Sequence, residues 1–153
     1  MKLALIGYGA MGKLVETLSC DAGDEIGSRV TSTDAAKDAA QLATELRGHD
    51  VAIDFSVAAA VLRNIEACAR AGVPLVEGTT GWLGNEAEAR RLIEDHSGAL
   101  VYGANFSVGV NVFYRIVSEA ARLMAGLDQY QAFMEEEHHA RKRDAPSGTA
   151  LKL

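Results

Sequence analysis

The run Lys2-Leu3-Ala4-Leu5-Ile6 is apolar after its first residue and stops at a glycine, the pattern of a strand buried on both faces of a parallel sheet. Over residues 10–19 the period changes: Leu14, Val15 and Leu18 recur at helical spacing. A second strand is predicted over Glu25–Val30, then a helix over residues 35–47 with Ala39, Leu42, Ala43 and Leu46 on one face. A third strand covers residues 51–55. Ser56 is the candidate N-cap for a helix over 58–71 that ends at Gly72. A strand over 73–77, a helix over 85–96 and a strand over Leu100–Tyr102 extend the series. Strands alternating with helices predict an α/β domain built on a doubly wound parallel sheet.

The pattern changes after residue 107. Residues 110–127 predict one long amphipathic helix carrying Phe113, Ile116, Val117, Ala120, Ala121, Leu123 and Met124. A strand over 130–136 then leads into a charged loop, and another helix should begin after Thr149. The expected division is residues 1–107 as a first domain and 108–153 as the N-terminal part of an α+β second domain. One helix and one strand have no sheet to pack on, so this second domain reads as incomplete and the chain as truncated at its C-terminus.

Composition narrows the function classes. Of 153 residues, 48% are hydrophobic and 24% charged, as in ordinary globular proteins. The net charge of −6 argues against nucleic acid as a partner, since the only basic cluster is Arg141-Lys142-Arg143. Two cysteines without a disulfide-like framework fit a reducing cytoplasm. The N-terminus imitates a signal peptide, but Gly7 and Gly9 break its apolar run. No window approaches the length of a membrane span.

Gly7-x-Gly9-x-x-Gly12 falls between a predicted strand and a predicted helix, the context that a dinucleotide fingerprint requires. Gly7 would permit the tight turn, Gly9 the approach of backbone to pyrophosphate, and Gly12 close helix–strand packing. Together with the alternating elements, this makes the first domain Rossmann-like. The end of the second strand normally carries an acid that selects NAD. Here Thr31 stands in that place and Asp34 lies late, with Arg29 nearby. Arg29 reads equally as a partner for a 2′-phosphate and as a surface strand residue. The cofactor expectation is NADPH or NADH, with a lean to NADPH.

The segment from Glu136 to Ala150 carries adjacent histidines, His138 and His139, with Lys142 four residues after the first, followed by the turn Pro146-Ser147-Gly148-Thr149. Imidazole and ammonium groups supply protons near neutral pH, and backbone N–H groups at a helix start bind anions. A solvated charged loop remains open as a reading of the same run. Metal ligation by the two histidines is weaker, because neighbours on an extended stretch point to opposite faces.

The block Glu136-x-His138-His139-x-x-Lys142-x-Asp144-Ala145-Pro146-Ser147-Gly148-Thr149-Ala150 resembles the signature of the 4-hydroxy-tetrahydrodipicolinate reductase (dihydrodipicolinate reductase) family. Three further segments match in order: Gly7-Tyr8-Gly9-Ala10-Met11-Gly12, Gly78-Thr79-Thr80-Gly81-Trp82, and residues 104–111. The resemblance implies NAD(P)H-dependent hydride transfer to a cyclic imine dicarboxylate in lysine and diaminopimelate biosynthesis. It implies that Gly7, Tyr8, Gly9, Ala10, Met11 and Gly12 cradle the cofactor phosphates. Gly78, Thr79 and Thr80, with Gly103, Ala104, Asn105 and Phe106, would line the nicotinamide side. Asn105 reads alternatively as a cap for the turn that follows.

Within the same resemblance, His138 and Lys142 supply the proton, His139 contacts substrate, and Gly148 and Thr149 take a carboxylate. Asp144 and Pro146 would shape the loop. No metal is implied. The full-length enzyme would be a cytoplasmic homo-oligomer. Three other readings stand beside this one: a non-catalytic NAD(P)-binding fragment of such an enzyme, another two-domain dehydrogenase, and a metal-binding protein.

Overall fold

The computed structural model describes residues 1–140 and 145–153, which form two compact units, Met1–Ala104 and Asn105–Leu153. The first unit holds five parallel strands: β1 (Lys2–Ile6), β2 (Glu25–Val30), β3 (Val51–Asp54), β4 (Leu75–Glu77) and β5 (Leu100–Tyr102). Their order across the sheet is β2-β1-β3-β4-β5. The chain therefore steps outward from β1 to β2, then returns past β1 to continue on its other side. That reversal leaves a crevice at the carboxyl ends of β1 and β3, where open α/β sheets bind ligands.

Burial follows the predicted pattern in the strands. Leu3, Ala4, Leu5 and Ile6 are all buried because β1 has a neighbour on each side and a layer on each face. The core continues through Ala52, Leu75 and Val30 to two helices, α2 (Ala39–Leu46) and α3 (Val61–Ala71), whose contributions are Leu42, Leu46, Val61 and Ile65. At roughly 1.5–3 kcal/mol for each buried aliphatic side chain, this layer is the main source of the unit's stability.

Two expected elements are adjusted locally. The helix predicted over 35–47 starts later, because Asp38 caps it by accepting from the Gln41 N–H at 2.8 Å and Gln41 returns a bond to Asp38. The residues before it make a 3-10 turn at Ser32–Asp34. Arg63 of α3 then donates to the carbonyls of Asp34, Ala35 and Lys37 at 3.1, 2.9 and 3.2 Å, which holds this stretch as a turn against α3. The helix predicted from 58 opens with a 3-10 turn at Ala58–Ala60, and Ser56 does not cap it. Replacing Arg63 by Ala is expected to free residues 34–37 while leaving the sheet intact. Faster amide exchange confined to that turn would be the readout; unchanged exchange there would reject this role for Arg63.

The first helix, α1 (Ala10–Asp21), presents a different face from the one its leucines suggest. Gly12 is buried and Val15, Glu16 and Ser19 are half-buried, whereas Leu14 and Leu18 are exposed. The inward row is 12, 15, 16 and 19, set by the need for a glycine where the helix meets the end of β1. The remaining helix of this unit, α4 (Glu86–Asp95), buries Ala89.

The second unit contains α5 (Val108–Met124) and α6 (Gly148–Lys152). Ser107 caps α5 by accepting from the Val110 N–H at 3.4 Å. Val112, Phe113, Ile116 and Leu123 on this helix remain exposed. The strand expected over 130–136 is absent: a strand exists only by laddering to another, and no described segment of this unit offers one.

Candidate functional site

The crevice at the ends of β1 and β3 is a cleft of about 510 Å³ lined by Gly7, Tyr8 and Gly9 on one side and Phe55, Ser56 and Val57 on another. Thr31, Ser32 and Ala35 wall its far end. Each fingerprint glycine has a distinct reason to lack a side chain. Gly7 turns with φ +84, and a Cβ there would lie 2.4 Å from the Phe55 carbonyl oxygen. A Cβ on Gly12 would lie 2.2 Å from the Gly7 carbonyl oxygen. At Gly9 an added Cβ would meet nothing within 4 Å, so its open surface is available to a ligand. Ala10 and Met11 start α1 and are exposed beside it. The residues fit a dinucleotide: a sharp turn, an open backbone approach and a helix start, all at the switch point of the sheet.

Tyr8 carries a cluster that sequence reasoning did not find. Its hydroxyl donates to Glu16, which also pairs with Arg29, and the Arg29 guanidinium lies 5.7 Å from the Tyr8 ring centroid. Hydrogen bonds from Arg29 and then Tyr8 hold the Glu16 carboxyl below its usual range. Arg29 is thus held in this cluster through both Nε and a terminal nitrogen. Asp34 folds back onto its own turn, accepting from the Thr31 N–H at 2.8 Å and pairing with Lys37 at 2.7 Å.

Gly78 and Thr79 follow β4 on a buried polar network. Asp54, Asn64 and Glu77 are each 0% exposed. Asn64 donates to Asp54 at 2.7 Å and to the Ser56 hydroxyl at 3.2 Å, while the Ser56 N–H donates to Asp54 at 2.7 Å. The Thr79 N–H donates to Glu77 at 2.6 Å, and the Ser56 N–H also reaches the Thr79 hydroxyl at 3.1 Å. The ends of β3 and β4 are therefore tied to one another beside the cleft, with Thr80 exposed at the rim. Asp54 at the close of an apolar strand was the sequence signal for this network. Gly103 bonds back through its N–H to the Glu77 carbonyl at 3.1 Å, and Ala104 ends this unit.

In the second unit, Asn105 is a turn cap: its side chain accepts from the Ser107 N–H at 2.8 Å, and Phe106 beside it is exposed. Glu136 joins two parts of the histidine segment. Its carboxylate accepts from the Ser147 N–H at 2.9 Å and lies 3.0 Å from His138 Nε2. Hydrogen bonds from Ser147 and then His138 hold its carboxyl near 2. It stays ionised at any working pH and fixes the ring of His138 through one nitrogen. Glu136 and His138 were readable as alternate positions of an extended stretch, which share a side. His139 is exposed. Gly148 and Thr149 open α6, whose N-cap is the buried Ser147, accepting from the Ala150 N–H at 3.0 Å. Lys142 and Asp144 lie outside the described residues. Among the described residues no group of three His, Cys, Asp or Glu side chains could hold a metal ion. None of the described helices is long and apolar enough to cross a membrane.

Comparison with known proteins bears on the same two segments. The family model for the dihydrodipicolinate reductase N-terminus matches residues 1–106, and that for the C-terminus matches residues 109–153. A 4-hydroxy-tetrahydrodipicolinate reductase from Christiangramia forsetii is 40% identical over 100% of this chain and 62% of its own length. One from Anaeromyxobacter dehalogenans is 41% identical over 96% of this chain and 50% of its own length. The chain thus spans about half to three-fifths of these relatives.

Among solved structures, a dipicolinate-bound dihydrodipicolinate reductase from Paenisporosarcina sp. TG-14 shares the fold with a TM-score of 0.66 at 23% identity. The match covers 99% of this chain and 63% of that one. A probable dehydrogenase from Thermotoga maritima gives 0.55 at 18% identity, covering 80% of this chain and 41% of that one. With both family models matched in order along its length, this chain belongs to the dihydrodipicolinate reductase family.

Proposed function

We propose that this chain carries the NAD(P)H site and the proton-donating loop of a reductase that converts 4-hydroxy-tetrahydrodipicolinate to tetrahydrodipicolinate in lysine and diaminopimelate biosynthesis. The observation that carries the reading is the pairing, within one member of this family, of the open glycine cleft with a histidine held by an ionised carboxylate. Residues 1–107 would be the dinucleotide-binding domain and residues 108–153 the start of the substrate-binding domain.

When bound, the reduced nicotinamide would supply a hydride. The chain's own residues have separate tasks. Gly7, Gly9 and Gly12, with Tyr8, Ala10 and Met11, receive the phosphates. Gly78, Thr79 and Thr80, with Gly103, Ala104, Asn105 and Phe106, receive the nicotinamide half. Reduction leaves an enamine-like anion on the substrate, and His138 with Lys142 protonates it. His139, Gly148 and Thr149 hold the substrate carboxylates. Glu136 acts through His138 as a positioning residue. Thr31 and Ser32 at the adenosine end, in place of an acid, favour NADPH. The setting is cytoplasmic, and the full-length enzyme is a homo-oligomer.

A second reading is favoured by one observation. Every buried apolar residue among those described belongs to the first unit, and the α5 apolar positions are exposed. On this reading the chain binds NAD(P)H without turning over substrate. A coupled assay separates the two. Dihydrodipicolinate synthase would generate the unstable substrate while NADPH and NADH oxidation are followed separately. Turnover with a higher efficiency for NADPH is expected. Equal or better efficiency with NADH would reject the cofactor lean. Bound nucleotide without turnover would favour the second reading.

A further inference from the structure

Asp54 and Glu77 close adjacent parallel strands and stand opposite one another in register. Side chains in register on neighbouring strands point to the same face, and here both are 0% exposed. Their hydrogen bonds are unequal. Asp54 accepts from the Ser56 N–H at 2.7 Å on one oxygen and from Asn64 at 2.7 Å on the other. Glu77 accepts from the Thr79 N–H at 2.6 Å on one oxygen, while the second oxygen is buried with no donor. The residue paired with Glu77 across the ladder is Asp54, a second carboxyl on the same face. Two carboxyl groups can satisfy each other only when one of them carries a proton.

The surroundings supply no positive charge to replace that proton. Arg63 on α3 reaches Asn64 at 3.1 Å and otherwise serves three backbone carbonyls, so it touches the pair only through the amide. Cys68, also on α3, is a neutral thiol, pushed up to about 12 by burial and then by the charges of Asp54 and Glu77. From β1 the neighbour of Asp54 is Ile6. From β5 the neighbour of Glu77 is Tyr102, whose hydroxyl points away to Glu86 at 3.0 Å. Two like charges side by side in this buried setting would repel strongly.

We infer that Asp54 and Glu77 form an acid pair sharing one proton, and that this pair positions Thr79 at the rim of the cofactor cleft. Both handles on Thr79 run through it: the N–H goes to Glu77 at 2.6 Å, and the hydroxyl donates to Asp54 at 3.4 Å while accepting from Ser56 at 3.1 Å. Asp54, as the oxygen pair with more donors, is the ionised member. Glu77 holds the proton on the buried oxygen that has no donor. Loss of the proton places two charges in one site, and the strand ends must part, taking Thr79 with them. The link from Thr79 to the nicotinamide rests on the function proposed above; the acid pair itself does not.

Burial, reinforced by the charge on Asp54, raises the Glu77 carboxyl from 4.5 to about 8. The sign follows. The folded chain keeps a proton that the unfolded chain has released, so stability is greatest below about pH 4.5 and falls as pH rises to about 8. Glu77→Gln replaces the protonated acid by a neutral group of the same shape and should remove both the titration and its consequences.

The test uses the full chain and the Glu77→Gln variant, with three readouts between about pH 6 and about pH 9.5. Infrared spectra of the wild type should show a protonated-carboxyl C=O band that bleaches with rising pH and is missing from the variant. The melting temperature of the wild type should fall up to about pH 8 and level off above it, and that of the variant should stay flatter. Affinity for NADPH and NADH, titrated by nucleotide fluorescence, should drop about tenfold in the wild type, equivalent to about one pKa unit of coupling. In the variant it should hold steady near the wild-type value at low pH. A wild type without the band would overturn the pair, and an identical pH fall in both proteins would overturn its hold on Thr79. Absence of nucleotide binding in both, with the band and melting profiles as expected, would sink the cofactor reading and support the acid pair.

Discussion

Turnover of the His138→Gln variant is expected to fall by about a hundredfold or more, with nucleotide affinity within about twofold of wild type. The reasoning runs from the anion left by reduction of the substrate. On the proposed function that anion needs a nearby acid, and His138 is a described residue whose ring is held, with one nitrogen 3.0 Å from the ionised Glu136. Glutamine preserves size and hydrogen bonding but cannot deliver a proton. Lys142→Ala should produce a comparable loss, because the family resemblance assigns Lys142 to the same protonation step. A split between kcat and nucleotide affinity is the decisive signature, since a folding defect would lower both. Normal turnover in the two variants would remove both residues from the chemistry.

Gly7→Ala and Gly9→Ala should differ in kind. A left-handed backbone costs a residue with a Cβ roughly 1–2 kcal/mol. At Gly7 that Cβ would also sit 2.4 Å from the Phe55 carbonyl oxygen, which is backbone of β3's end and cannot swing aside. Gly7→Ala is therefore expected to lower the melting temperature and abolish nucleotide binding together. Gly9 has an ordinary negative φ of −84 and open space where its Cβ would go. Gly9→Ala should melt like the wild type and lose at least about tenfold in NADPH affinity by obstructing the approach of the pyrophosphate. Unchanged affinity in Gly9→Ala would mean that the open backbone there is not a phosphate cradle.

The parts of this architecture that could be read from residues alone are those encoded by near neighbours. The apolar run from Leu3 to Ile6, the glycine spacing after it, and the Gly72 stop at φ +71 are local statements, and each marks a real element. The Asp38 cap is local too, but a helical pattern starting at Ala35 masked it; the turn before it is held by Arg63, far along the chain. Leu14 and Leu18 misled for a related reason: spacing identifies a helix face, while the packing of Gly12 decides which face turns inward. The cleft glycines were legible in position, and the turn at Gly7 and the close packing at Gly12 are as expected. The pairing of Asp54 with Glu77 was not, because it depends on the register of two strands whose partner residues lie 23 apart in sequence. Residues 130–136 carry strand-forming side chains, and the missing ladder outweighs them.

The buried thiol of Cys68 makes this chain a recorder of its own breathing. Cys20 is exposed and Cys68 is 1% exposed, so the two react with an alkylating agent on different clocks. A thiol pushed up to about 12 stays protonated and inert while α3 lies on the sheet, because only the thiolate attacks. Each alkylation at Cys68 therefore requires an excursion of α3 away from the strand ends that carry Asp54 and Glu77. With Cys20 changed to serine, the labelling rate measures how often the floor of the cleft comes apart, and bound nucleotide would lengthen the interval between such events.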